Sequence, residues 1–150
     1  MLQLQSRRLQ TKQILGLKDS QMANRNFNRY QALTKEVKAL FAQVAIGASG
    51  APTLSAAKSL GVASIDRNSA GNYTITLSDK YMDLLQLGIS RELASGTPDA
   101  LGGFVIRSQD VDAAKTIVVE FVDAAGAAID PANGTTLRLK IDLKNSSVQR

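Results

Sequence analysis

Asp110, Asp112, Asp123 and Asp130 are the side chains of this 150-residue sequence whose type and grouping could do chemistry, and that chemistry would be the holding of a hard cation by carboxylate oxygens. Their spacing argues against it. A twelve-residue calcium loop closes on a bidentate Glu, and no Glu ends the run from Asp123 to Asp130. Aspartates in turns commonly accept hydrogen bonds from their own backbone, so turn-forming roles are expected, with no metal and no cofactor. The chain has no His and no Cys. That removes imidazole acid–base catalysis near neutral pH, Ser–His and Cys–His nucleophiles, thiolate metal sites and disulfides. Gly47, Gly50, Gly102 and Gly103 form no phosphate loop, because no Gly-Lys-Ser or Gly-Lys-Thr follows a strand. The sequence reads as a non-enzyme with no catalytic residues.

The other group with chemical potential is cationic. Residues 1–38 carry eight Lys or Arg against Asp19 and Glu36, a net charge of +6, while the remaining 112 residues hold ten basic and eleven acidic side chains, a net −1. Arg7, Arg8, Lys12, Arg25 and Arg29, interleaved with Phe27 and Tyr30, could contact phosphates and stack bases. The same stretch holds Leu2, Leu4, Leu9, Ile14, Leu15 and Leu17, more apolar surface than a phosphate-tracking tail needs. An acidic protein surface would attract it as well, and a protein partner ranks ahead of nucleic acid. These seven residues are the candidate partner interface.

Several elements must carry this arm. Residues 1–28 have no stable period and read as an arm of short pieces ordered by what it touches. From Tyr30 to Val44 the apolar residues Leu33, Val37, Leu40, Phe41 and Val44 recur at steps of 4, 3, 1 and 3, which predicts an amphipathic helix, bounded here as residues 29–46. Its stripe must be covered, either by the chain's own domain or by another copy, and it is the candidate oligomer interface. Gly47, Gly50 and Pro52 mark a hinge at residues 47–53.

Residues 54–150 then follow a period of two. Val62 to Arg67 and Tyr73, Ile75 and Leu77 predict a hairpin turning at Asn68–Gly71. Residues 79–85 read as an irregular corner in which Tyr81, Leu84 and Leu85 could plug one end of a sheet. Leu87, Ile89 and Arg91 suggest a further strand, and residues 94–103 a loop. Ile117, Val119 and Phe121 mark a central strand, and Leu137, Leu139, Ile141 and Leu143 mark the cleanest strand of all. The predicted fold is mainly β: a small antiparallel β-sandwich or partly open barrel of five or six strands, preceded by the basic arm and the helix. Its expected core is Tyr73, Ile75, Leu77, Ile117, Val119, Phe121, Leu137, Leu139 and Ile141. No apolar run approaches the ~20 residues of a membrane span, and no secretory signal is expected at the start, whose apolar residues are broken by Arg7, Arg8 and Lys12.

Three stretches carry a resemblance: Ile46 to Leu54 (IGASGAPTL), Gly71 to Tyr81 (GNYTITLSDKY) with Leu84 and Leu85, and Leu143 to Ser147 (LKNSS). With the hairpin between them they resemble small structural proteins of tailed-bacteriophage virions. The resemblance implies a decoration or cement protein that binds the major capsid protein lattice, in the virion; the helix stripe could then meet its symmetry mates in a homo-oligomer, with a closed ring such as a trimer as the expected form. A neck, tail or fibre-attachment component is the alternative. A nucleic-acid-binding module and a glycan-binding sandwich are the remaining ones; the last would need an aromatic platform on loops, for which Phe104 and Tyr81 are the only candidates, and both read more readily as core.

Overall fold

Strand β1 shows how the fold overrides local propensity. The segment Val37–Ile46 supports two periods at once, because Leu40 and Val44 belong both to a helical stripe and to the alternating row Leu40, Ala42, Val44 and Ile46. In the computed structural model, which describes residues 37–94 and 96–145, the alternating row prevails and the segment is a strand. The reason lies about a hundred residues away. Strand β8 (Thr136–Lys144) presents Leu137, Leu139, Ile141 and Leu143 on one face, and β1 pairs antiparallel with it from Val37↔Lys144 to Ala45↔Thr136, which continues that apolar face across the sheet. The helix expected over 29–46 is thus corrected from Val37 onward; residues 29–36, and with them Tyr30 and Leu33, lie outside the described residues.

The hinge expected at 47–53 is likewise part of the domain. A tight turn at Ala48–Gly50, closed by the Gly47 amide donating to the Ala51 carbonyl at 2.8 Å, leads straight into β2 (Pro52–Leu54), which pairs back onto β1. The β-domain therefore starts at β1 and not at residue 54.

Among the described residues eight strands make two antiparallel sheets. The first has the order β2-β1-β8-β5 and the second β3-β4-β7-β6, with β3 Val62–Ser69, β4 Asn72–Leu77, β5 Asp83–Glu92, β6 Leu101–Asp110 and β7 Thr116–Asp123. The mainly β sandwich predicted from the sequence is found, with more strands than the five or six counted. β7 is central in its sheet and β8 in the other, as their apolar faces require. All nine expected core residues are buried, and β1 adds Leu40, Ala42, Val44 and Ile46 to them. Tyr73 meets Phe121 edge to face, with centroids 5.5 Å apart and planes at 79°. The void left between the sheets is about 10 Å³, no more than a single water could fill. At the corner before β5, Tyr81 is buried and Leu84 packs against the core, whereas Leu85 faces outward.

Candidate functional site

Among the described residues β2, β5, β3 and β6 end the two sheets, and the first three are guarded in distinct ways. β2 is only three residues long. β3 carries Arg67 directly opposite Tyr73, so its side chain starts out toward the inside of the sandwich. β5 does the same with Arg91, which is opposite the buried Leu137. An inward charge on an edge strand discourages the pairing of a further strand, but it needs a counter-charge. Loops supply it in both places.

At the β3 edge the counter-charge is Asp130, in the loop between β7 and β8. Arg67 donates Nε and one terminal nitrogen to its two carboxylate oxygens at 3.0 and 2.7 Å, a bidentate fork. Oδ1 of Asp130 also accepts the Gly71 amide at 2.8 Å, and the Tyr73 hydroxyl lies 2.9 Å from it and 2.8 Å from the Gly50 carbonyl oxygen. One carboxylate thus ties the β3–β4 hairpin, the β1–β2 turn and the β7–β8 loop together.

Two glycines make room for it. A Cβ on Gly50 would lie 2.5 Å from Asp130 Cγ, and one on Gly71 would lie 2.7 Å from both the Ile129 nitrogen and the Phe121 oxygen; both residues have positive φ. The Arg67 hydrogen bonds, helped by the Gly71 amide and Tyr73, hold the Asp130 carboxyl down at about 2. Burial, and then the hydrogen bond to Asp130, push the Tyr73 hydroxyl well above its ordinary range. A carboxylate so saturated and a phenol so hard to ionise are poor proton carriers at neutral pH. The cluster is a structural tie.

At the β5 edge the counter-charge is Asp99. An Arg91 terminal nitrogen lies 2.9 Å from Asp99 Oδ2, the other donates to the Leu101 carbonyl at 3.3 Å, and Asp99 Oδ1 accepts the Leu101 amide at 3.1 Å. Here the sandwich does not close. A slit of about 440 Å³ opens between β5 and β6, lined by Ile89, Arg91, Leu93, Asp99, Gly103, Phe104 and Phe121.

The expected oligomer stripe is divided by the strand geometry. Leu40 and Val44 are core residues, 2% and 0% exposed, and so are not available to a second copy. Val37 and Phe41 project from the opposite, outer face of the first sheet, where Phe41 bridges to Leu60; Phe41 is 48% and Leu60 71% exposed. Leu33 and the candidate partner residues Arg7, Arg8, Lys12, Arg25, Phe27, Arg29 and Tyr30 lie outside the described residues.

Two of the aspartates weighed as cation ligands serve turns. Asp110 accepts the Ala113 amide at 2.9 Å, and Asp123 accepts those of Ala125 and Ala127 at 2.8 and 2.9 Å. Among the described residues no three acidic side chains gather as a metal site would require. Asp130, read as one more turn aspartate, proves to be the hub of the tie. The signal was in the sequence: Arg67 follows Ile65 on the inward face of a strand, and such an arginine calls for an acidic partner. Comparison with protein-family models, curated proteins and solved structures finds no match for this chain.

Proposed function

We propose that this chain is a non-enzymatic attachment protein of a tailed-phage virion, a decoration or cement protein that binds the major capsid protein through its basic arm and carries the β-sandwich as its body. The observation that carries the reading is the division of charge: +6 on residues 1–38 beside −1 on the rest. Such a division suits adhesion to an acidic lattice, where many modest contacts add up over repeated sites. The virion setting rests on the resemblance of the three stretches described above. The character of the sandwich supports a structural role: its saturated ionic cluster, at Arg67 and Asp130, is spent on an edge and the loops beside it. Self-association is assigned to the outer patch of Phe41 and Leu60, in place of the divided stripe.

The test offers purified heads lacking this protein to the full chain and to a variant with Arg7, Arg8, Lys12, Arg25 and Arg29 changed to Ala. Co-sedimentation of the full chain, with at least about tenfold weaker binding of the variant, is expected. Equal binding by both, or tighter binding of the full chain to DNA than to heads, would defeat the reading. Native mass spectrometry of Phe41→Glu addresses the oligomer: the assembly should fall to monomer, and an unchanged mass removes this patch from the interface.

A further inference from the structure

We propose that the slit between β5 and β6 is a binding site for a neutral saccharide ring, held between the Phe104 side chain and the Arg91–Asp99 pair. The proposal concerns residues of the sandwich alone and stands whether or not the chain belongs to a virion.

Space comes first. The slit, at about 440 Å³, falls within the usual range for small-molecule sites of about 300–1,000 Å³, whereas the interior between the sheets holds a void of about 10 Å³. Its walls are apolar where Ile89, Leu93 and Phe104 line it, and Phe104 is only partly buried, with its ring centroid 6.4 Å from that of the buried Phe121. An aromatic wall beside open space suits the C–H face of a sugar.

The polar end of the slit selects the class of ligand. A guanidinium has five N–H donors, and Arg91 spends one on Asp99 and one on the Leu101 carbonyl. A carboxylate has about four acceptor positions, and Asp99 spends one on Arg91 and one on the Leu101 amide. Donors and acceptors are therefore left over side by side, and the side chains remain 28% and 33% exposed. The pair is electrically balanced. An anion drawn to Arg91 meets Asp99, and a cation drawn to Asp99 meets Arg91. A hydroxyl meets neither penalty, since it accepts from the guanidinium and donates to the carboxylate, and vicinal hydroxyls on one ring do this twice. An extended peptide fits less well, because the inward Arg91 works against adding a strand at the β5 edge.

The experiment is an NMR titration of the isotopically labelled full chain with glucose, galactose, N-acetylglucosamine and their disaccharides, beside glucuronate and glucosamine as charged analogues. Saturable shifts are expected at the amides of Ile89, Arg91, Leu93, Gly103 and Phe104, with a dissociation constant on the order of 1 mM for the best neutral sugar. Asp99→Ala and Phe104→Leu should each weaken binding at least about tenfold, while Asp66→Ala, on the far β3 edge, leaves it unchanged. Asp99→Asn retains an acceptor for the Leu101 amide and replaces Asp99→Ala if that variant fails to fold. Three results each overturn the proposal: no saturable shift with any neutral sugar, binding undiminished in the variants, or charged analogues binding as tightly as their neutral parents. Saturable binding of an apolar peptide at these amides without sugar binding would give the slit to the other occupant.

Discussion

Asp130→Ala should destabilise the sandwich by about 2–4 kcal/mol, a large effect for a side chain in a surface loop. The magnitude follows from what the carboxylate holds. Gly71 is buried, and its amide has Asp130 Oδ1 as acceptor; a buried donor left without a partner costs about 1–3 kcal/mol. The Tyr73 hydroxyl keeps the Gly50 carbonyl oxygen, so its loss is small. The carboxyl's fall to about 2 reflects the Arg67 hydrogen bonds first and the Gly71 amide and Tyr73 after them, so it is not a separate sum to be added to the Gly71 cost. Arg67 is 32% exposed, and a solvent-screened ion pair of this kind adds about 1 kcal/mol at most.

Urea unfolding at pH 7 measures the sum, and the melting temperature should fall by about 10 °C or more. The pH dependence separates the parts. A carboxyl whose folded pKa lies below its ordinary value ionises more readily in the folded chain, so its stabilisation is complete above the ordinary pKa and is lost as pH falls through about 2. The advantage of the native protein over Asp130→Asn should therefore be flat between about pH 7 and 5 and shrink toward pH 2. A loss below about 0.5 kcal/mol for Asp130→Ala, or an advantage that grows on acidification, would refute the assignment of Asp130 as the hub.

Two further predictions test geometry away from charge. Gly71→Ala should cost well over 2 kcal/mol in urea unfolding, because its Cβ would strike backbone atoms at positive φ, whereas Gly126→Ala, also at positive φ but in open space, should cost only the conformational ~1–2 kcal/mol; equal costs would contradict the close packing at Gly71. Leu40→Ala should lose about 2–5 kcal/mol and Phe41→Ser under about 1 kcal/mol in the same assay, since neighbours in a strand face opposite ways; comparable losses would restore the helix.

The parts of the fold legible in the sequence are those where alternation has only one interpretation. β4, β7 and β8 place their apolar residues at every second position with polar or β-branched residues between, and each is a strand with the expected residues inside. The helical expectation over β1 arises because Leu33, Val37, Leu40, Phe41 and Val44 satisfy a helical period, while Ala42, the residue that completes the alternating row, is also a strong helix former. Local propensity could not choose between the two. The apolar face of β8 could, but only once its neighbour was known. The hinge expectation has the same origin: Gly47 and Gly50 signal a break in the chain, and in the structure that break is a tight turn joining two strands of one sheet.

The sites were legible in a narrower sense. Arg67 and Arg91 both fall at inward strand positions, which already sets them apart from the outward Arg138 and Lys140 of β8. Their partners lie in loops 63 and 8 residues away, and spacing says nothing about which aspartate a loop will bring back. The two pairs share a design but differ in consequence. Asp130 is enclosed by Gly50, Gly71 and Tyr73 until its oxygens are fully engaged, so the β3 edge is sealed and its energy goes into stability. Asp99 has no such enclosure: it caps its own loop at Leu101, stays a third exposed, and stands at the mouth of a slit. The same inward arginine thus closes one side of the sandwich and leaves the other with hydrogen-bonding capacity turned toward solvent, which is where a ligand would find it.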